Sequence, residues 1–346
     1  MNQTQLKKTQ LKRIALWIAL SLSFSVISAQ AGMDLSNLLA KLPQALTVQI
    51  AVANLESAKE VLGQLQADPT TLKADFLIAQ SSMGESQASL VQARLQTRVN
   101  MAQTYFNVVA SEAKLKLDQG RSSLAQTEVG VAKERVKLGS GTALAVEQAQ
   151  AALIQVQQDL KVDEVQLKVQ RELLRNLLDL KDLPALDAQV PASSAVPGLP
   201  TVQAAALKIP PVIKAYGAVE VAKLKLEQAQ TDSTPLNQRS VAKQALLSAQ
   251  LEYQSQALTA RQAAEQAYIN ALSAQAALDA SEAATAAQQT ALKTAQAQER
   301  AGTISRLQVQ GTSLSLQQAR YALLQAQQNA YLTRLSLELA APQEVK

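Results

Sequence analysis

Apolar positions recur every three or four residues along most of this chain, and the breaks in that rhythm divide it into helices. A first stretch runs from about Leu38 to Gln66, with Ala45, Val52, Leu55, Ala58 and Leu62 on the helical spacing. Asp68-Pro69 stops it. Residues Thr70 to Gln80 read two ways, because Leu72, Ala74, Phe76 and Ile78 alternate with Thr71, Lys73 and Asp75. One short strand or the start of the next helix satisfies that pattern. From about Ser86 to Leu138 the helical pattern is nearly unbroken, a length on the order of 80 Å. Gly139-Ser140-Gly141-Thr142 interrupts it, where glycine can end one helix and threonine can cap the next. A partner helix follows from about Ala143 to Leu180. Two long helices joined so tightly must fold back as an antiparallel hairpin.

The same plan is then repeated. A helix is expected over about Pro211 to Gln230, and a break holds Asp232 and Pro235. A long helix follows over about Arg239 to Gln298, then a turn over Ala301 to Ser305, and a last helix over Arg306 to Ala340. The two copies are in register at a constant offset of 163 residues. Tyr105, Asn107, Ala113 and Leu115 match Tyr268, Asn270, Ala276 and Leu278. Gly139, Thr142, Leu144, Val146 and Arg171 match Gly302, Ser305, Leu307, Val309 and Arg334. A hairpin cannot bury its apolar stripe alone, so such units pack on copies of themselves. The fold class expected is all-α: long antiparallel hairpins in two tandem repeats, with little or no β-strand. The expected divisions are a targeting segment over 1–31, a first hairpin repeat over 32–180, a Pro-rich linker over 181–210, a second repeat over 211–340 and a tail over 341–346.

Composition narrows the class further. Alanine, glutamine and leucine dominate, and aromatic residues make up only 3%, too few for a thick globular core. The mean hydropathy of −0.03 argues against a polytopic helical membrane protein. Lys7, Lys8, Lys12 and Arg13 precede an apolar run from Ile14 to Ile27, and Ala29-Gln30-Ala31 supplies small residues for cleavage. This is the pattern of an export signal, with an uncleaved anchor helix as the alternative. The signal carries most of the net charge of +5, leaving about +1 on the mature chain, so nucleic acid is not an expected partner.

Catalytic chemistry has little to work with. The chain has no Cys and no His, which removes thiolates, the commonest general base and the commonest metal ligand together. Asp163-Glu164 is an adjacent carboxylate pair that does not share a helix face, and solvation accounts for it. Tyr105, Tyr268, Tyr321 and Tyr331 read as packing residues. No enzyme activity, cofactor or metal is expected.

The ordered set of recurring residues resembles the TolC family of outer-membrane efflux proteins. Tyr105-Phe106-Asn107 is similar to that family's aromatic-Asn segment. Arg135, Gly139, Thr142, Leu144, Val146, Ala149 and Gln150 resemble its helix–turn–helix pattern, with a looser copy in Arg300, Gly302, Ser305, Leu307 and Val309. Pro210-Pro211-Val212-Ile213, followed by Ala218, Val221, Ala222 and Ala229, resembles its short-helix segment. The resemblance implies a homotrimer whose six hairpins close a water-filled tunnel through the periplasm, in a protein exported to the periplasm or outer membrane of a diderm bacterium. It also implies that Gly139, Gly141, Thr142 and Leu144, with Gly302, Ser305 and Leu307, meet a periplasmic adaptor and an inner-membrane pump at the inner tip.

Two departures from the family pattern qualify that picture. Members carry two transmembrane strands in each half, and such a strand needs about 9–11 residues. Only residues 231–240 separate Gln230 from Val241, so no strand pair fits there, and the 70–80 window holds one strand at most. Outer-membrane insertion through a full barrel of its own is not expected. At the tip, Ala145 and Gln308 stand where an acidic residue commonly follows the motif leucine. Arg300 and Arg306 are a candidate cationic ring at the pore mouth, or simply two solvated helix-end arginines. Two other readings remain: an exported coiled-coil scaffold without channel activity, and a periplasmic chaperone holding clients on its apolar stripes.

Overall fold

The computed structural model describes residues 33–342 except 69, 71, 192–194 and 231–234. The targeting segment expected over 1–31, and residues 343–346 of the expected tail, lie outside the described residues. The described residues form eight α-helices in order: α1 (Leu35–Leu39), α2 (Leu46–Ala67), α3 (Lys73–Lys137), α4 (Ala143–Leu177), α5 (Leu199–Ala205), α6 (Pro210–Ala229), α7 (Leu236–Arg300) and α8 (Arg306–Ala340). Short 3-10 turns at Leu42–Gln44 and Ala206–Lys208 precede α2 and α6. Among the described residues the only β-type pairing is an isolated bridge between Met33 and Leu186.

The repeat holds to the residue. α3 and α7 are each 65 residues long and α4 and α8 each 35, and both pairs keep the 163-residue offset. The short-helix, 3-10 and medium-helix sequence of α1–α2 recurs in α5–α6, inside the stretch rich in proline.

Helix ends explain the breaks. Gly139 and Gly302 take φ of +72° and +73°, the left-handed conformation that L side chains resist. Each ends its helix in the same way: Ser140 N–H donates to the Arg135 carbonyl, and Thr303 N–H to that of Gln298, both at 2.9 Å. Asp179 ends α4 similarly at φ +51°, with Leu180 N–H donating to the Arg175 carbonyl.

The ambiguous window resolves as helix from Lys73 onward. Ala79 and Leu90 are buried while Ile78 is exposed, which fits the helical period rather than alternation. A lone strand there would also leave its backbone groups without a ladder. Asp75 in the first turn favours a helix start electrostatically.

Packing makes the chain a row of helices, four wide in each half. α3 touches α2 and α6 on the outer side of its midpoint and α4 and α8 on the tip side, while α7 touches α6 and α8. The order is therefore α2–α3–α6–α7 at one end and α4–α3–α8–α7 at the other. Small side chains permit this closeness. Ala257, Ala260, Ala264, Ala271 and Ala274 are the buried positions along the middle of α7, and Gly217 lies so close to Ser81 that a Cβ would fall 1.7 Å from its Oγ.

A thicker core forms only at the middle. Leu35, Leu38, Met101, Ala102, Tyr105, Phe106, Leu174 and Leu335 are buried together there. The Tyr105 hydroxyl is shared between the carbonyls of Met33 (3.0 Å) and Asp187 (2.5 Å). It thereby ties the start of the described chain to the loop after α4. Burial, with the charges of Asp187 and Asp34, pushes this phenol up to about 12.

Three outcomes are expected. Ala at Gly139 or Gly302 meets open space, so the cost is conformational alone, about 1–2 kcal/mol each. Ala at the helical Gly130, equally open, gains about 0.5–1 kcal/mol; denaturant unfolding checks both signs. Tyr105→Phe removes the hydroxyl donor to the Asp187 carbonyl, while the Met33 carbonyl keeps the Asp187 N–H, and lowers stability by about 0.5–1.5 kcal/mol in the same measurement.

Candidate functional site

The two glycine turns lie at one end of the molecule. Gly120 and Leu124 of α3 face Gln310 and Leu314 of α8 across a small cleft, which brings the tip-side ends of both hairpins together. At the first tip, Thr142 caps α4 by accepting from Ala145 N–H at 3.2 Å. Gly141 is pressed against Arg135, where a Cβ would stand 3.0 Å from the arginine Cβ. At the second tip, Ser305 accepts from Gln308 N–H at 3.3 Å, and Gln308 Oε1 accepts from Ser305 N–H at 2.8 Å. That reciprocal pair is a capping box. Gln308 thus has a structural use at the position where the family commonly carries an acid.

The tips differ chemically. Leu138 is 80% and Leu144 61% exposed at the first. Ala301 stands at the position of Leu138 in the second, and Leu307 is half-buried. Arg300 and Arg306 are exposed on either side of the second turn. The first tip presents leucine to solvent and the second presents arginine. Beside the second tip, Gln288, Thr294, Gln298, Gln308, Thr312 and Ser315 line an open groove of about 770 Å³ without a charged side chain.

One charged group sits inside the wall, and here Asp163 departs from its solvated reading. Asp163 is only 8% exposed and Asp118 2%. Lys114 Nζ donates to Asp118 Oδ2 at 3.1 Å and to both Asp163 oxygens at 2.5 Å, and Arg121 Nη1 donates to Asp118 Oδ1 at 2.9 Å. Lys114, Asp118 and Arg121 fall on one face of α3 at helical spacing, a pattern visible in the sequence. The fourth member comes from α4, 49 residues away from Lys114, which no local pattern reveals. Burial raises the Asp163 carboxyl above the usual range, and its contact with Asp118 adds to this against Lys114. Burial works the same way on Asp118, but hydrogen bonds from Asp163 and Lys114 and the charges of Lys114 and Arg121 bring it below that range. A second, partly buried group joins Arg334 to Glu338 at 3.7 Å and Arg98 to Glu338 at 3.4 Å, at the middle of the molecule. Among the described residues no cluster of three or more His, Cys, Asp or Glu could hold a metal ion. The arrangement offers a wall and two tips.

Residues 68–179, which include all of α3 and α4, match the outer membrane efflux protein family. No curated protein matches the chain. Solved structures resemble it at low identity over nearly their whole length. The outer membrane protein VceC of Vibrio cholerae is 18% identical with a TM-score of 0.59, over 89% of this chain and 95% of that one. The CmeC outer membrane channel of Campylobacter jejuni is 13% identical with a TM-score of 0.59, over 92% and 90%. The open-state MtrE outer membrane channel of Neisseria gonorrhoeae is 15% identical with a TM-score of 0.59, over 89% and 88%. The family match is confined to residues 68–179, and across both of its repeats the chain carries the fold of the TolC-like α-barrel protomers.

Proposed function

We propose that three copies of this chain close edge to edge into a tunnel of the cell envelope, which receives solutes from an inner-membrane pump through a periplasmic adaptor. The carrying observation is the pair of open edges. One edge is α2 stacked on α4 and the other is α7, and each exposes a stripe of large apolar residues. Counting about 1.5 Å per residue from the helix ends, the stripes come level. Val169 and Leu173 of α4 stand at the height of Leu272 and Ile269 of α7, and Leu46, Ile50 and Val61 of α2 at the height of Leu258, Leu251 and Val241. An edge that matches the opposite edge of its own copy forms a head-to-tail contact, which a closed ring satisfies completely. Three four-helix rows give a wall twelve helices around.

The tips fit the adaptor role. Gly139, Gly141, Thr142 and Leu144 shape one exposed turn, and Gly302, Ser305 and Leu307 the other, with Arg300 and Arg306 as cations at the mouth. The exposed Leu138 and Leu144 suit an apolar helical tip of a partner. Uncharged Gln, Thr and Ser in the groove beside the second turn suit passage of hydrated solutes. At the opposite end, five residues join α2 to α3 and six join α6 to α7, too few for the strand pairs of a barrel. The outer-membrane crossing therefore falls to something other than those two connections. The protein acts as a conduit after export to the periplasm or outer membrane, and no catalytic step is assigned to it.

The test is the assembly of the mature protein. Light scattering is expected to give three times the protomer mass, and electron microscopy a hollow cylinder with three-fold symmetry. Leu251→Glu combined with Val165→Glu should convert it to a helical monomer. A wild-type protein that stays monomeric or dimeric at all concentrations favours the scaffold reading instead.

A further inference from the structure

The buried charges of the first hairpin have no counterpart in the second. Lys114, Asp118, Arg121 and Asp163 correspond, at the 163-residue offset, to Ala277, Ser281, Ala284 and Ala326. At this height ions cross between the two long helices of the first repeat, and the equivalent positions of the second carry no ionisable side chain. The difference matters for α4 more than for any other helix, because Asp163 and Leu174 are its only buried residues. Between the tip and Asp163, a run of some 20 residues, no side chain of α4 is buried within the protomer. Val146, Ala149, Leu153, Val156 and Leu160 are partly covered there, and Asp163 is the buried side chain of α4 nearest the tip.

Two carboxylates converging in a dry site cannot both stay charged without a counter-ion. Lys114 supplies one by bridging them, although its own side chain is 42% exposed to solvent. A single proton held between the two carboxyls would supply the other solution. We propose that Asp118 and Asp163 form a proton-sharing clamp between α3 and α4, in which Lys114 replaces the shared proton when both carboxylates are charged. The other titratable or charged groups facing the pair are Arg121 on α3 and Tyr321 on α8, whose hydroxyl is raised by burial and senses all three clamp members. The clamp gives the first hairpin two closed forms, a lysine-bridged one and a proton-bridged one, and the second hairpin none that responds to protons.

The direction follows from the two carboxyls. Asp163, raised, takes the first proton as pH falls, and its protonated form favours the closed hairpin. Asp118, depressed, stays charged as the acceptor until lower pH. Without Lys114 the clamp must open when both are charged and close again when Asp163 is protonated.

Distances on the full mature chain test this, and the absence of native cysteine makes spin labelling simple. Exposed Gln126 and Gln155 report on the first hairpin, and the repeat-equivalent Gln289 and Gln318 on the second. In the Lys114→Met variant the Gln126–Gln155 distribution should broaden to longer distances at neutral pH and narrow again at acid pH. Adding Asp163→Asn, which mimics the protonated carboxyl, should restore the narrow distribution at both pH values. The Gln289–Gln318 pair should stay unchanged throughout, which also shows that the variants fold. A Lys114→Met protein that is narrow at both pH values, or one that broadens in both hairpins alike, overturns the clamp. These distances are read within one chain, so their outcome is separable from whether three copies form a tunnel.

Discussion

Everything in this molecule depends on how closely two long helices can approach when their contact positions are alanine, glycine and serine. Close approach replaces the thick core that the chain lacks. A seam of alanines contributes little per residue, so stability accumulates only over many turns, and the helices must be long and straight. Long helices in turn must be shared between neighbours: α3 lies against α2 and α6 at one end and α4 and α8 at the other. Large side chains are concentrated where chain ends and loops meet the middle of the helices, around Tyr105, Phe106 and Tyr331, with ring centroids 5.8 and 5.5 Å apart. That belt fixes the halves to each other, while the thin seams above and below set the shape of the wall.

Much of this was legible because the signals are local or periodic. Gly139 and Gly302 announced the turns, since few residues other than glycine accept positive φ, and the constant offset announced that both hairpins share one register. The start of α3 was not legible. Leu72, Ala74, Phe76 and Ile78 alternate as a strand would, and only the burial of Ala79 beside the exposed Ile78 decides the period. Tyr105 was recognisable as a packing residue, but its bond to the Met33 and Asp187 carbonyls joins segments far apart in the chain. Asp163 was read as solvated for the same reason. Its neighbour Glu164 is adjacent in sequence, whereas its partner Lys114 is adjacent only in space.

The tips show the same division. The capping residues Thr142 and Ser305 are used as their spacing implies. The contrast between exposed leucines at one turn and exposed arginines at the other emerges only when the copies are compared position by position. Duplication has preserved backbone geometry more strictly than surface chemistry, which leaves two turns of one shape free to carry different contacts.

The unbroken run of α3 and α7 past the middle of the molecule has a mechanical consequence. Each is a continuous strut of 65 residues, roughly 100 Å, with no proline inside it and no hinge at the aromatic belt. A torque applied where the glycine turns are gripped is therefore carried along the strut to the opposite rim, rather than absorbed halfway. The shorter helices α4 and α8 end at the belt and can move as separate staves. In such a body, stiffness runs along its length and compliance around its circumference.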